Sequence, residues 1–326
     1  MFEAEELFVV PEPAWSIEAT SSPMTCIKYS QDGGRVAYSN RPGVVTVVSS
    51  YDGSFQNSTQ QNLSSYPVSG LSFHPSDSGI LLFSTKDGFI ILYNTVSNEI
   101  AHFERHLGSN LVSMVTDPFG DSFAIACADG SIRLYDFESI KRTKALINMS
   151  GRSSSSQASS IHTIMYHSED SNIILSAVGN DRVLIWDIRS GTSERAIVGP
   201  HIRGDALDMY DGQILTGSYR DKKQLEVWDF GTAKRIKEVH MDSGISGHDC
   251  LVTSAKMANN GMNLVAGGGG CNLAQAFDYT SGSFIGQTKS FATPVSCVAM
   301  SPFGASFISA SENGDASCYM IRLKPM

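Results

Sequence analysis

The chain has 326 residues, of which 33 are acidic and 24 basic, so its net charge at neutral pH is −9. Proteins that bind nucleic acids regardless of sequence concentrate lysine and arginine, and the longest basic block here is the short KRTK at Lys141–Lys144, so the composition argues against this class. No apolar run reaches the length of about 18 residues that a membrane-spanning helix needs.

The six cysteines are spread along the chain without a CxxC pair, and the eight histidines without an HExxH motif. This spacing favours free thiols in a reducing compartment over a disulfide framework or a metal site. The acidic segment Met1–Glu6 lacks the pattern of a secretory signal. We therefore expect a cytoplasmic protein, with the nucleus as the alternative, that holds no metal and no cofactor.

The first predicted element is a short strand at Leu7–Val10, which Pro11 and Pro13 end. It belongs to a segment, residues 1–20, that precedes the first repeated unit of the chain. At the other end, seven residues follow Tyr319, too few for a turn and a full strand. We predict that Leu7–Val10 supplies the outer strand of the last sheet and removes its exposed edge.

Seven apolar segments recur along the chain at intervals of 42 to 51 residues. The clearest is Val183–Gly191, whose sequence VLIWDIRSG is typical of the end of a buried strand followed by a turn. Aligned on Trp186, the seven strand ends are Val48, Tyr93, Tyr135, Trp186, Trp228, Phe277 and Tyr319.

Two further landmarks keep register with these strand ends. A turn cluster precedes each strand end by 18 or 19 residues; the clusters begin at Ser30, His74, Asp117, His167, Met209, Ala258 and Ser301. A small side chain stands a few residues before each turn, at Thr25, Ser69, Ser113, Thr163, Ala206, Thr253 and Ser296. Three landmarks in register over seven copies indicate one structural unit repeated seven times.

A unit of about 40 to 45 residues with four strand-length segments and a Trp-Asp strand end resembles the WD-repeat family. Trp-Asp occurs at Trp186–Asp187 and Trp228–Asp229, and the Gly-His dipeptide of the family at Gly247–His248. The resemblance implies an all-β fold, a seven-bladed β-propeller of four-stranded antiparallel blades. One domain would span residues 1–326, with the ring closed by the N-terminal strand in the last blade.

In the second blade the pattern predicts four strands, at residues 68–73, 80–84, 89–93 and 99–103. The third strands are nearly continuously apolar, as expected where neighbouring blades cover both faces of a sheet. A Ser-rich stretch, residues 148–160, predicts a flexible loop between the third and fourth blades. Its Ser153–Ser156 cluster is either a phosphorylation site or a tolerated insertion.

Two motifs allow a catalytic interpretation, and each also has a structural one. Asp87, Asp129 and Asp181 precede third strands, where an aspartate in this family ties the turn to a neighbouring loop. The run Gly267–Gly270 lacks the helix and lysine of a phosphate-binding loop, which predicts a flexible hairpin in the sixth blade. Without a catalytic pair we do not expect an enzyme, although a propeller enzyme acting at the channel mouth remains an alternative.

Members of the family commonly bind peptides on the narrower face of the ring. By their positions in the blade pattern, six residues are expected on that face: Tyr66, Asn110, His162, Arg203, Tyr219 and Arg220. Arginine and tyrosine are enriched at interface hot spots. The resemblance therefore implies a non-enzymatic scaffold or adapter that binds protein or peptide partners within a larger complex and is monomeric on its own.

The sequence WDIR also resembles the WDxR element of substrate receptors for cullin-type ubiquitin ligases. Its candidate residues are Asp181, Trp186, Asp187 and Arg189. In that alternative Arg189 contacts the ligase adaptor while the narrow face captures a substrate. Because the sequence WDIR is also common at the end of an ordinary blade, both interpretations stay open.

Overall fold

The computed structural model describes residues 7–18, 22–40, 43–59, 63–106, 108–147, 160–179, 181–241 and 249–324. The Ser-rich loop lies outside these ranges except for Ser160, and so do Met1–Glu6 and Gly247–His248. The regular structure of the described residues is β-strand. No helix among them is long and apolar enough to cross a membrane.

The described strands form seven antiparallel sheets, or blades. Six are made of four consecutive strands, and the seventh combines the last three strands with two from the N-terminal segment. The chain begins with β1 (Leu7–Val9) and β2 (Trp15–Ile17). Blade one comprises β3 (Met24–Tyr29), β4 (Arg35–Asn40), β5 (Val45–Ser49) and β6 (Phe55–Ser58). Blade two comprises β7 (Val68–Phe73), β8 (Ile80–Thr85), β9 (Phe89–Asn94) and β10 (Glu99–Arg105). Blade three comprises β11 (Leu111–Thr116), β12 (Ser122–Cys127), β13 (Ser131–Asp136) and β14 (Arg142–Ile147). Blade four comprises β15 (Ile161–Tyr166), β16 (Ile173–Val178), β17 (Arg182–Asp187) and β18 (Thr192–Val198). Blade five comprises β19 (Leu207–Tyr210), β20 (Gln213–Gly217), β21 (Leu225–Asp229) and β22 (Arg235–Val239), and blade six comprises β23 (Leu251–Met257), β24 (Asn263–Gly269), β25 (Ala274–Asp278) and β26 (Phe284–Gln287). Blade seven contains β27 (Val295–Met300), β28 (Ser306–Ser311) and β29 (Ala316–Leu323).

The blades are arranged in a ring around their first strands. Each first strand contacts the first strand of the next blade, in the order β3, β7, β11, β15, β19, β23 and β27, and β27 contacts β3 again. This closed cycle confirms the predicted all-β, seven-bladed propeller. The ring has two ends: a loop face, with the connections between blades and between second and third strands, and a turn face, with the other two turns of each blade.

The N-terminal segment closes the ring, as predicted. Strand β1 pairs antiparallel with β29, with Leu7 opposite Leu323 and Val9 opposite Ile321. Strand β2, which the sequence did not predict, pairs with the preceding part of β29, with Trp15 opposite Cys318. The last blade therefore has an outer edge in two pieces, interrupted where the prolines cannot donate to a ladder.

The aromatic strand ends lie between neighbouring blades, where they form much of the core. Trp186 and Trp228 are buried, and their indole Nε1 atoms donate to hydroxyls of their own blades, to Ser176 Oγ at 2.9 Å and to Thr216 Oγ1 at 2.9 Å. An indole N–H buried without an acceptor would cost free energy. The small polar residue on the second strand therefore matches the tryptophan on the third.

A β-bulge interrupts the first strand of six blades near its start. The residues left out of the pairing are Thr25, Ser69, Val112, His162, Thr253 and Ser296. In the fifth blade the corresponding position, four residues before Met209, is held by Asp205. Because a bulge changes the direction of a side chain, the residue at this position determines which side chain points toward the centre of the ring.

The glycine run of the sixth blade is not the hairpin that the sequence predicted. Gly267, Gly268 and Gly269 lie within β24 and are buried, and Gly270, with a φ of +85°, lies at the turn. A Cβ on Gly268 would lie 1.9 Å from the carbonyl oxygen of Leu251. Gly268 is therefore required by the close approach of two strands.

Candidate functional site

A central channel of about 590 Å³ runs along the first strands. Much of its lining is small or apolar, for example Ser69, Gly70 and Val112 from blades two and three. The opposite wall carries charge, from Lys28 of blade one, Asp205 of blade five and Lys256 of blade six. The channel is therefore polarised from one side to the other.

The charged wall is organised by one carboxylate. Asp205 accepts from Lys28 Nζ at 2.9 Å and from Lys256 Nζ at 2.8 Å, one lysine on each oxygen. Lys256 also donates to the carbonyl of Leu207 at 3.2 Å. These bonds join residues 177 and 51 positions apart in sequence, and so connect three blades across the channel.

The two lysines determine the protonation of this cluster. Burial alone would raise the pKa of Asp205, but Lys256 and Lys28 outweigh it and hold the pKa well below its usual 3.8. Burial would lower the pKa of Lys28, yet the charge of Asp205 raises it above 10.5. Asp208 differs, because burial raises its pKa above 3.8 although Lys256 and a 2.8 Å bond from the backbone N–H of Met257 oppose the rise.

We expect Asp205→Asn to lower the free energy of unfolding by about 1–2 kcal/mol at neutral pH, because two lysines then face each other without a carboxylate between them. The loss is smaller than for a sealed ion pair, since 41% of the side-chain surface of Asp205 faces the channel. A depressed folded-state pKa stabilises above the unfolded-state value, near 3.8, and the contribution disappears as the pH falls below it.

Urea denaturation at about pH 7 and about pH 3 measures this dependence. The difference between Asp205→Asn and the wild type should shrink at the lower pH. Asp121→Asn, at an exposed turn, is the control and should change little at either pH. An equally large difference for Asp205→Asn at both values would contradict the ionic role.

The loop face carries a second cluster where two connections of blade five meet. We call residues 199–206 and 218–224 the blade-five loops. The guanidinium of Arg203 lies over the ring of Tyr219, with 5.7 Å to the ring centroid, and both side chains are exposed. A cation over an aromatic face is an attractive pair. The structure thus brings together two of the residues that the sequence singled out.

His201 positions this pair. Arg203 Nε donates to His201 Nε2 at 3.1 Å, and His201 Nδ1 lies 2.5 Å from Asp181 Oδ1. An arginine only donates and a carboxylate only accepts, so His201 is the neutral tautomer with its proton on Nδ1. His162 lies near this group, and burial, followed by Arg203 and His201, lowers its pKa. Three of the six predicted residues are therefore gathered here.

The other three predicted residues are placed differently. Arg220 turns inward and pairs with the buried Glu226 at 2.9 Å, while its second terminal nitrogen donates to the carbonyl of Gly199 at 2.9 Å. Tyr66 is 55% exposed and Asn110 is exposed, at the starts of blades two and three. All six lie on the loop face, but Arg220 supports the loop from below.

The residues of the WDxR element are divided between the two faces. Strand β17 runs from one face to the other, so Asp181 lies on the loop face while Asp187 and Arg189 lie on the turn face. Trp186 is buried between them. Arg189 is 66% exposed and holds Asp187 by two bonds, from Nε at 3.0 Å and from one terminal nitrogen at 2.8 Å.

The three aspartates that precede third strands, Asp87, Asp129 and Asp181, are bonded to other residues of the protein. Asp87 accepts from Ser64, in the loop before its blade, at 2.7 Å, and Asp181 is bonded to His201 as described. Asp129 accepts from a terminal nitrogen of Arg133 at 2.7 Å. Each of the three aspartates thus has a structural partner. Within the described ranges, no group of three or more His, Cys, Asp or Glu is placed to hold a metal ion.

The charged channel cluster was missed by sequence reasoning. Its signal is weak: Asp205 directly precedes the small residue Ala206 at the bulge position, where the other blades have Thr, Ser, Val or His. Lys28 and Lys256 stand at matching places in β3 and β23, one residue before the strand ends. Alignment of the first strands on their turns would have shown these three departures.

Comparison with known proteins agrees with the architecture. The family model described as "WD domain, G-beta repeat" matches residues 97–136. This stretch begins at the outer strand of blade two and ends at Asp136, the last residue of the third strand of blade three. The sequence unit is therefore offset by one strand from the blade, which is the same offset that leaves the last blade to be completed by the N-terminal segment.

The human "Serine-threonine kinase receptor-associated protein" is 25% identical over 183 residues, which cover 45% of this chain and 51% of that protein. The human "U3 small nucleolar RNA-associated protein 4 homolog" is 25% identical over 228 residues, covering 66% of this chain and 31% of that protein. The match thus spans about half the length of the first relative and a third of the second. The chain is thus a seven-bladed β-propeller that contains one unit matching the WD40 repeat model.

Proposed function

We propose that the protein is a non-enzymatic scaffold that binds partner proteins through the loop face of its ring. The observation that carries the proposal is the exposed pair of Arg203 and Tyr219, held in place by His201 and Asp181. An anchor that is already ordered loses little conformational freedom on binding. Tyr66, Asn110 and His162 would contribute further contacts, and Arg220 would support the loop.

The names of the two relatives add support of a general kind, since each describes a protein associated with another molecule. We propose protein partners within a larger complex, one domain over residues 1–326, and a monomeric chain in isolation. We place the protein in the cytoplasm, with the nucleus as the alternative that a relative named for a nucleolar RNA suggests.

Affinity purification with mass spectrometry tests the scaffold role. We expect Arg203→Ala combined with Tyr219→Ala to reduce recovery of one or a few proteins by about tenfold or more, because anchors of these types carry much of an interface's binding energy. Arg220 is left unchanged, since its loss would remove one of the two arginines, Arg220 and Arg235, that pair with the buried Glu226. A partner set that does not change would place the binding site elsewhere.

The matched control is Arg189→Glu, at the turn face of blade four. It should leave the partner set intact, and breaking its exposed pair with Asp187 should cost little stability. The control also tests the ligase-receptor alternative, which the exposure of Arg189 favours. Selective loss of a cullin-ligase adaptor would support that alternative, whereas unchanged association would dismiss it. We do not propose an enzyme, because the channel carboxylate Asp205 is already bound by two lysines.

A further inference from the structure

The blade-five loops are cationic in a chain whose net charge is −9. Arg203, Lys222 and Lys223 are exposed there. Of the two acidic residues in these loops, Asp221 is exposed, while Asp205 points into the channel and is bound by two lysines. The loops therefore present an excess of positive charge around the exposed ring of Tyr219.

The turns of blades four and five at the turn face are mainly acidic. They carry the carboxylates of Glu169, Asp170, Asp187, Asp211 and Asp229 against two cations, Arg189, which is paired with Asp187, and Lys234. Hydrogen bonds from Asn172 lower the pKa of Asp170, and those from Thr232 lower the pKa of Asp229. Asp170 and Asp229 are thus ionised at neutral pH, so an acidic ligand is favoured at the blade-five loops over these turns.

The geometry of Arg203 defines the group that it fits. Its Nε donates to His201 at 3.1 Å, and its Cζ lies over the Tyr219 ring, 5.7 Å from the centroid. The terminal nitrogens form the edge that faces a ligand. Two parallel N–H donors match the two oxygens of a carboxylate.

We propose that the blade-five loops bind an acidic linear segment of a partner protein. One aspartate or glutamate of the segment pairs with the terminal nitrogens of Arg203, its neighbours lie near Lys222 and Lys223, and an apolar side chain packs on the exposed part of Tyr219. This inference rests on the scaffold function proposed above and specifies the chemistry of its ligand.

Fluorescence anisotropy with defined peptides tests the proposal. The probes are a short labelled peptide in which glutamate alternates with serine and leucine, and a second peptide with glutamine in place of each glutamate. We expect the glutamate peptide to bind at least about tenfold more tightly, with an affinity that falls between about 50 and 150 mM salt as charges are screened. Equal binding of both peptides, or of neither, would overturn the proposal.

Charge reversal locates the site on the ring. Lys222→Glu with Lys223→Glu should weaken binding of the glutamate peptide by about tenfold or more. The matched control is Lys141→Glu with Lys234→Glu, which makes the same change in net charge at exposed positions on the turn face. An equal loss in both variants would show a nonspecific charge effect and contradict the proposal. Displacement of the peptide by an equimolar single-stranded RNA would assign the patch to a nucleic acid instead.

The two proposals fail in different ways. If Arg203→Ala with Tyr219→Ala removes cellular partners while the glutamate peptide does not bind, the scaffold function stands and the acidic ligand is wrong. If the peptide binds to the blade-five loops but no partner depends on Arg203 and Tyr219, the ligand chemistry stands and the scaffold proposal fails.

Discussion

Deletion of residues 1–12 is expected to lower the melting temperature on the order of 5–10 °C. The deletion removes β1, whose Val9 packs in the core of the last blade with Phe307, Tyr319 and Ile321. Burial of one such side chain contributes about 1.5–3 kcal/mol, and the lost ladder bonds to β29 add to it. The deletion also leaves part of β29 as an open edge.

Deletion of residues 1–6 is the control, because it leaves every described strand in place. The ion pair of Glu12 with Lys289 is exposed on both sides, so its loss should add little to the effect of the longer deletion. Differential scanning calorimetry of the three proteins measures the effect. A longer deletion that melts with the wild type would show that β1 does not hold the ring closed.

Gly268→Ala should be the most damaging single substitution among the glycines of β24. The new Cβ would lie 1.9 Å from the carbonyl oxygen of Leu251 and 3.0 Å from the Cα of Val252. Both atoms belong to the backbone of β23, so the two strands must separate. We expect the free energy of unfolding to fall by about 3 kcal/mol or more, at the upper end for overpacking.

The neighbouring glycine provides the comparison. A Cβ on Gly269 finds its nearest atom, Cβ of Pro294, at 3.7 Å, which is ordinary contact. Gly269→Ala should therefore change stability by less than about 1 kcal/mol. Urea denaturation of both variants separates a steric cause from a general intolerance of alanine in this strand. Similar losses in the two would refute the close-approach explanation.

The architecture could be predicted because the same unit occurs seven times in the sequence. The repeat that ends at Val48 has a weak motif and would indicate little alone, but Val48 has nearly the same spacing to Ser30 and Thr25 as the corresponding residues in the other six repeats. The closing strand followed from the lack of residues after Tyr319 and the apolar run at Leu7–Val10. The second closing piece, at Trp15–Ile17, was missed because three residues around one tryptophan do not show a strand period.

The local interpretations that failed depend on contacts across the fold. Consecutive glycines ordinarily mark a turn, and only the approach of β23 to Gly268 shows why they stand within a strand. In the candidate site, sequence could place Arg203, Tyr219 and Arg220 on one face but not tell which point outward. Arg220 turns toward Glu226, six residues later, whereas its neighbour Tyr219 meets Arg203 from the other loop.

The channel cluster could not be found from local sequence, because its partners are far apart along the chain. Lys28 and Asp205 are separated by 177 residues, and neither residue has a spacing that marks a site. They meet because a ring brings blades one, five and six around a common axis. Such a contact becomes visible only when the blade positions are superimposed.

The two-part closure of the last blade has a consequence for synthesis. Strand β1 is synthesised well before its partner β29. At about 5–20 residues per second, roughly 15–60 s separate the two. Blades in the middle of the chain can pack on their neighbours as they emerge, but Leu7–Val9 has no partner until nearly the whole ring exists. A nascent chain stalled before Ala316 thus carries both an unpaired strand and an unfinished blade, whose open edges can pair with other chains.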